Sequence, residues 1–240
     1  MKDNEHYSIL KESYAKVGSK TWKFKDFLEG NVSVSRAYYT NESLQLRKPI
    51  PKNLEVYTLL SGLPFSEKMT ESLLLIQEKI TKILESSLYY WVKTNNFGVE
   101  YCVFKWPDDD FDMTRLQLIK EEISKINLNS FKFSIRGIQV NPDGCIVAKG
   151  YDENRTIFTI RNRLKNKLNF MPLKQSGWAH IPIGRILEPI GTEKFIQLKK
   201  LIEELDENFV IVDRISTFKL IHETQWYMEK RTTLVEYNLK

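Results

Sequence analysis

The sequence contains few cysteines, glycines and prolines, and it has no long hydrophobic run. Its two cysteines, Cys102 and Cys145, are too few for a disulfide framework or a four-ligand zinc site, so we expect no metal and no cofactor. Ten glycines and eight prolines exclude collagen and low-complexity scaffolds. No stretch reaches the roughly 18 apolar residues of a membrane span, and the start, MKDNEHYSIL, lacks the apolar core of a signal peptide. We therefore expect a cytoplasmic globular protein that does not contact membranes.

The residues that are present favour a folded protein with an anionic ligand. Hydrophobic residues make up 42% of the 240 positions, enough to bury the core of one large domain or two small ones. The net charge is only +5, but residues 155–187 contain seven basic side chains and no acidic one. Such a segment is typical of a phosphate-binding surface. The alternative is a solvated helix face whose acidic neighbours come from elsewhere in the chain.

The periodicity of apolar residues predicts alternating strands and helices after residue 55. Residues 1–54 show no long repeat of either period, so we interpret them as an N-terminal extension with short elements. Predicted strands cover 56–61, 99–106, 131–140, 145–149, 178–187, 209–221 and 232–239, and predicted helices lie at 67–84, 116–126, 157–168 and 195–205.

The order of these elements repeats itself within residues 55–240. When GVEYCVFKW (98–106) is set over GWAHIPIGR (177–185), Tyr101 aligns with His180, and each strand leads through a proline into a helix. The pattern predicts a duplicated unit of helices and strands with lobes at about 55–140 and 141–240, between which terminal strands can be exchanged. We expect the lobes to face each other across a cleft, with 98–106 and 178–186 as neighbouring central strands.

The segment AHIPIGRIL (179–187) resembles the second motif of the two-histidine (2H) phosphoesterases, in which His-x-Thr/Ser is often followed by Gly/Ala-Arg. The C-terminal VDRISTFKLIHETQWYMEKRTTLVEYNL is similar to the closing hairpin of that family. The resemblance covers roughly residues 55–240. It implies an α+β fold with two lobes, mainly antiparallel sheets and a central cleft, as in RNA-ligase-like and cyclic phosphodiesterase-like proteins. It also implies chemistry on 2′,3′-cyclic or 2′-5′ phosphodiesters.

The sequence departs from the family pattern at the positions that carry the chemistry. The family's mechanism divides a base and an acid between two imidazoles, each followed two residues later by a hydroxyl that holds phosphate. Here the second motif keeps His180 but has Pro182 in place of the hydroxyl, and the first has Tyr101 and Val103. A tyrosine is a poor base at neutral pH. We therefore expect lost or weakened hydrolysis.

The candidate catalytic residues are His180 and Tyr101, although a hydrogen-bonded structural histidine and a tyrosine packed beneath the cleft remain alternatives. Strand alternation predicts that Arg185 lies on the face opposite His180, and the helix at 155–168 is expected to turn its basic residues outward. Cys102 is expected to be a buried core thiol. The candidate phosphate-binding residues are Arg185, Lys105, Arg161 and Arg163.

Three hypotheses follow from these observations. The first is a cleft that binds a nucleotide or RNA end with little or no hydrolysis. The second is an active phosphoesterase or transferase that uses His180 with a partner such as Tyr101. The third is a protein-interaction module in which Tyr101, Trp178 or the N-terminal extension fills the cleft. The oligomeric state cannot be derived from the sequence.

Overall fold

The computed structural model describes residues 2–152 and 154–240, with side chains from Glu5 onward. After an N-terminal group of three helices, single helices alternate with single strands or with runs of two or three strands. In order the elements are α1 (Lys2–Thr21), α2 (Glu29–Arg36), α3 (Asn41–Gln45), β1 (Asn53–Gly62), α4 (Glu67–Leu84), β2 (Tyr89–Trp91), a 3₁₀ turn (Thr94–Asn96), β3 (Gly98–Lys105), α5 (Met113–Ser124), β4 (Phe131–Val140), β5 (Cys145–Asp152), α6 (Thr156–Lys167), β6 (Ile181–Ile186), α7 (Thr192–Asn208), β7 (Val210–Ile215), β8 (Thr217–Gln225) and β9 (Lys230–Asn238).

The strands form two sheets in which every described pairing is antiparallel, so the fold is α+β with two lobes. The first sheet has the order β3-β1-β8-β9 and the second the order β2-β6-β5-β4-β7. β4 follows the first-lobe helix α5 in sequence but belongs to the second sheet, and β8 and β9 return from the second lobe to the first. The chain therefore crosses between the lobes more than once, which ties them together.

The helices form where apolar side chains recur at helical spacing and a polar residue caps the first turn. In α4, Leu73, Ile76 and Ile80 are buried, and the Ser66 hydroxyl accepts a hydrogen bond of 3.3 Å from the amide of Met69. Each such aliphatic side chain contributes about 1.5–3 kcal/mol on burial. No helix in the described residues combines the length and the apolar character that crossing a bilayer requires.

The N-terminal segment contains a 20-residue helix that the sequence pattern did not predict. The buried stripe of α1 includes Leu10, Tyr14 and Thr21, but its few aliphatic residues give little periodic signal. The helix is fixed by contacts with the second sheet: the Tyr14 hydroxyl donates to the carbonyl of Gly150 (3.2 Å), and the Thr21 hydroxyl donates to that of Val140 (2.7 Å). Tertiary packing rather than local periodicity therefore holds this helix.

Two further expectations from the sequence are wrong. β3 and β6 are not neighbouring central strands, since β3 lies at the edge of the first sheet and β6 belongs to the second. The strand predicted over 209–221 is two strands, because β7 pairs with β4 in the second sheet whereas β8 pairs with β1 in the first. The chain changes sheets at Ser216.

Candidate functional site

A cavity of about 320 Å³ lies between the two lobes, and both sheets contribute to its lining. Its polar lining combines both signs of charge, and its walls include three large aromatic rings. The charged and imidazole side chains in the lining are Glu100, Lys174, His180, Arg185 and Glu223, and the aromatic ones are Trp106, Trp226 and Tyr227. Apolar walls with a few convergent polar groups are typical of small-molecule sites. We refer to this cavity as the cleft.

His180 lies in the cleft, one residue before β6 begins. The Trp178 ring meets its imidazole edge to face, with 5.6 Å between the ring centroids. Nδ1 is buried and has no hydrogen-bond partner among the described residues. Burial lowers the pKa of His180 to about 4, and the nearby charges of Arg161 and Arg185 act in the same direction. The imidazole is therefore neutral at pH 7 and can accept a proton or a hydrogen bond there.

Tyr101 is not part of the cleft lining. Its side chain is fully buried, its hydroxyl lies 2.8 Å from the Ser61 hydroxyl, and its ring packs beside Phe218. Burial raises the pKa of this phenol well above its ordinary value, so it stays protonated at neutral pH and offers no phenolate that could act as a base. The structure therefore does not bring Tyr101 and His180 together, because successive residues of a strand point to opposite faces and the preceding residue lies in the cleft.

The residue that lies in the cleft at this point of β3 is Glu100. It pairs with Leu60 of β1, which is also part of the lining. The Glu100 carboxyl makes no hydrogen bond or ion pair with any other described residue. Burial raises its pKa to about 7, and the charge of Arg161 opposes that rise only in part. Glu100 was not predicted from the sequence, although it is the one charged side chain in the run GVEYCVF and alternation separates it from Val99 and Tyr101.

A second carboxyl enters the cleft from β8. Glu223 is buried, and its Oε1 accepts a hydrogen bond of 2.9 Å from the amide of Met228. Burial raises its pKa to about 7, and the charge of Glu100 raises it further. Two carboxyls that titrate near neutrality in one cavity are typical of functional sites. No sequence pattern indicates Glu223 as a site residue, because its strand is interpreted from the sequence as part of a closing hairpin.

Arg185 lies in the same cleft as His180, which corrects the expectation from strand alternation. The register between β5 and β6 shifts so that Ile146 pairs with Gly184 and Val147 with Pro182. The extra residue reverses the alternation and brings the guanidinium to the side of His180. Its Nε donates to the Tyr227 hydroxyl, and its Nη1 donates to the Ser35 hydroxyl and to Oδ2 of Asp143, the last at 2.9 Å. Nη2 makes no hydrogen bond within the described part of the chain.

Arg161 does not face outward as predicted but is buried between the lobes. Its Nε donates to the carbonyl of Tyr101, and its Nη2 donates to the carbonyls of Glu100 (3.1 Å) and Trp178 (3.0 Å). Burial lowers the pKa of the guanidinium. β3 is an edge strand whose outer carbonyls need donors, and Arg161 satisfies two of them. Its role is thus to join the lobes.

Gln175 joins the same edge by a second, bidentate contact. Its Oε1 accepts from the amide of Val103 (3.0 Å), and its Nε2 donates to the carbonyl of that residue (2.8 Å). Gln175 belongs to the loop before β6, which also brings Lys174 into the cleft lining. The loop is therefore held at a fixed position relative to β3.

The remaining predicted site residues lie outside the cleft lining. Lys105 is buried, with Nζ 3.3 Å from the Glu55 carboxylate. Arg163 is exposed on α6 and donates to the carbonyl of Lys125 (3.0 Å). Cys102 is buried, and burial raises the pKa of its thiol. No group of His, Cys, Asp and Glu side chains in the described ranges is arranged to hold a metal ion.

The two antiparallel sheets that flank a central cleft, with a histidine on one side, define a 2H phosphoesterase-like fold. Comparison with solved structures shows the same fold. The structure is similar to Escherichia coli LigT complexed with ATP, with a TM-score of 0.54 and 11% identity over 78% of this chain and 99% of that chain. LigT complexed with 3′-AMP and with phosphate also has a TM-score of 0.54.

Two other similar structures come from different bacteria. TT0787 of Thermus thermophilus has a TM-score of 0.54 and 13% identity over 77% of this chain and 97% of that chain. ATU0111 of Agrobacterium tumefaciens, described as a conserved protein of unknown function, has a TM-score of 0.58 and 11% identity over 77% of this chain and 86% of that chain. No family model matches the sequence. No curated protein matches it either.

Proposed function

We propose that the cleft binds the phosphate of a nucleotide or of an RNA end, and that hydrolysis at neutral pH is lost or weakened. The observation that carries this proposal is the position of Arg185, Lys174 and His180 in one cavity with three aromatic rings. Cationic side chains bind phosphate, and aromatic rings provide stacking surfaces for a base. The free Nη2 of Arg185 and the Lys174 ammonium group are the donors available to an anion.

The ligands of structural neighbours support the same proposal. E. coli LigT has been crystallised with ATP, with 3′-AMP and with phosphate, and it shares this two-lobed architecture. The proposal transfers only the class of ligand, a nucleotide or its phosphate. At 10–12% identity the contacts that hold it must come from this chain's own residues.

Weakened hydrolysis is supported by the residues that face the cleft. Pro182 lies two residues after His180 and has no hydroxyl to hold a phosphate oxygen. The Glu100 carboxyl, not a second imidazole, lies on the other side of the cleft. General acid and base catalysis contribute about 10²–10⁴-fold each, so losing the matched pair leaves little activity at neutral pH.

A thermal-shift series with inorganic phosphate, mononucleotides and 2′,3′-cyclic nucleotides tests this proposal. A nucleotide present at 100 times its dissociation constant stabilises the folded state by about 2.7 kcal/mol. We expect this shift in the wild type and a smaller one in Lys174→Ala. Lys165→Ala, which changes an exposed lysine on α6, is the matched control and should behave as the wild type. Absence of a shift with every nucleotide would contradict the proposal.

The second candidate function is an active phosphodiesterase in which Glu100, rather than Tyr101, is the partner of His180. The specific observation in its favour is that the environments of the two groups move their pKa values to about 7 for Glu100 and about 4 for His180. Between these values Glu100 holds a proton and His180 is free of one, so they could serve as acid and base. This function predicts turnover of 2′,3′-cyclic nucleotides that is largest near pH 5.5 and is lost in both Glu100→Gln and His180→Ala.

The interaction-module hypothesis required a filled cleft, and it receives less support. The cavity remains, and Tyr101 lies outside its lining. Trp178 turns its indole N–H to the Ser13 hydroxyl of α1 (2.8 Å) rather than entering the lining. If RNA rather than a mononucleotide is the ligand, the exposed residues Arg163, Lys165 and Lys167 extend the basic surface, and affinity should fall steeply with salt.

A further inference from the structure

Three polar groups on residues that line the cleft have no hydrogen-bond partner in the described part of the chain. They are the carboxyl of Glu100, Nδ1 of His180 and Nε1 of Trp226, and the two nitrogens are buried. Buried polar groups in folded proteins are rarely left unpaired. The two nitrogens have almost no accessible surface, whereas the Glu100 side chain is half-buried and lines the cavity, so the Glu100 carboxyl is the group of the three that a ligand in the cleft can reach.

The chemistry of these groups restricts the ligand. A carboxylate accepts hydrogen bonds and can receive two at once. A ligand that pairs with both oxygens of Glu100 therefore presents two adjacent donors.

Among the nucleobases this pattern belongs to guanine. Its N1–H and N2–H groups are adjacent donors, and O6 is an acceptor beside them. Adenine and cytosine instead place a ring-nitrogen lone pair where N1–H would meet the carboxylate. Uracil offers a single N–H between two carbonyl oxygens. A carboxylate therefore repels part of each of these three edges and none of the guanine edge.

We propose that the cleft selects guanine nucleotides, with Glu100 accepting hydrogen bonds from N1–H and N2–H. This inference rests on the proposed function, since it assigns the base of a nucleotide whose phosphate lies near Arg185. Glu223 is the less suitable acceptor, because the amide of Met228 already occupies its Oε1. Glu100 is free, and Arg161 fixes its main chain through the 3.1 Å contact to its carbonyl oxygen.

The position of the charges agrees with this assignment. Burial raises the pKa of Glu100 to about 7, so the carboxylate is the majority form at pH 7.5, and hydrogen bonds from two N–H donors favour it further. The cations whose charges act on Glu100 and on its neighbour Glu223 are Arg161 from α6 and Arg231 from β9. Neither makes a hydrogen bond to the Glu100 carboxyl. The acceptor therefore has cations near it, and its oxygens are available to a ligand.

Isothermal titration of the full chain at pH 7.5 with 5′-GMP, 5′-IMP and 5′-AMP tests the inference. We expect 5′-GMP to bind at least about tenfold more tightly than 5′-AMP, the ratio that a single bidentate contact provides. 5′-IMP, which lacks N2, should fall between them. In Glu100→Gln the preference should shrink to less than about threefold, whereas Glu204→Gln, a change on the exposed face of α7, should retain it.

Different results of the titration contradict guanine selection and the proposed nucleotide site on which it rests. Equal affinity for 5′-GMP and 5′-AMP would overturn guanine selection and leave the nucleotide site standing. Failure of every nucleotide to bind would overturn both. A guanine preference that survives in Glu100→Gln would show that another group reads the base, and it would reject this assignment. The far-ultraviolet circular dichroism spectrum of Glu100→Gln should match that of the wild type and its thermal unfolding should be cooperative, which shows that the variant is folded.

Discussion

Arg185 in the cleft donates a hydrogen bond from Nη1 to the Ser35 hydroxyl of α2, a residue 150 positions earlier in the chain. The same hydroxyl donates to the carbonyl of Asp143 (2.5 Å), whose carboxylate also binds Arg185. Ser35 lies outside the cleft lining, so the N-terminal extension contacts the cleft through Arg185. It holds the guanidinium that we propose binds phosphate.

Ser35→Ala should therefore weaken nucleotide binding without unfolding the chain. The substitution removes one contact to Arg185 and leaves the contact to Asp143, so we expect a loss of affinity of about 3–10-fold, which corresponds to roughly one hydrogen bond. Isothermal titration measures this loss. Ser33→Ala in the same helix, where the hydroxyl bonds only to the carbonyl of Gly30, is the control. Equal affinity of both variants and the wild type would show that Ser35 does not position Arg185.

Arg161→Leu should destabilise the fold strongly. The change leaves the carbonyls of Glu100, Tyr101 and Trp178 without their donor at the junction of the lobes. Unpaired buried carbonyls cost about 1–3 kcal/mol each, so we expect the free energy of unfolding to fall by at least about 3 kcal/mol. Urea unfolding followed by circular dichroism gives the value. Arg163→Leu, on the exposed side of the same helix, should change it by less than about 0.5 kcal/mol.

Stability should depend on pH through Glu100 in a predictable direction. Burial raises its pKa in the folded protein from 4.5 to about 7, so the folded state binds the proton more tightly than the unfolded state. The stabilisation is complete below pH 4.5 and is lost as the pH rises through 7. Glu100→Gln removes this titration. Relative to the wild type it should gain about 2–3 kcal/mol between pH 5 and pH 8, since one pKa unit corresponds to about 1.4 kcal/mol.

Paired urea titrations at pH 5 and pH 8 measure that difference. Glu204→Gln, which alters an exposed carboxyl, should follow the wild type at both values. A Glu100→Gln variant whose advantage over the wild type is the same at pH 5 and pH 8 would show that Glu100 titrates like a solvated carboxyl.

Tyr101→His should not produce a two-histidine enzyme. The side chain at this position packs against Phe218 and reaches Ser61, away from the cleft. We expect no gain in 2′,3′-cyclic nucleotide hydrolysis, together with a loss of stability of about 1–3 kcal/mol from replacing a buried phenol. Glu100→His is the informative companion, because it places an imidazole in the cleft itself. A large gain in Tyr101→His would contradict the orientation of β3.

The fold class could be predicted from the sequence, and two of the candidate residues lie in the cleft. Apolar periodicity predicted α4 and most strands, and the resemblance of 179–187 to a family motif identified His180 and Arg185, both of which lie in the cleft. Pairing the two repeats by their first glycine selected Tyr101, whereas the charged residue of β3 that lines the cleft is Glu100. The face of Arg185 could not be predicted either, since a bulge in β6 leaves no mark in a single sequence.

Contacts between segments that are distant in sequence could not be predicted either. α1 has too few aliphatic residues to show a helical period, and its position depends on hydrogen bonds to Gly150 and Val140. From the sequence, Arg161 is one more basic residue on a helix face that is predicted to point outward. The structure shows that it contacts the unpaired edge of β3, where its guanidinium donates hydrogen bonds to buried carbonyls.

The most direct test of the account is an NMR titration of the three histidine side chains, His6, His180 and His222, with a nucleotide. Long-range ¹⁵N–¹H spectra resolve each imidazole and report both its protonation state and its contacts. We predict that the His180 nitrogens shift in a saturable manner, whereas those of His222, which stacks on Tyr57 (4.4 Å) and contacts Glu55 (3.0 Å) outside the cleft lining, do not. Saturable shifts at His222 with none at His180 would contradict the placement of the nucleotide site in the cleft.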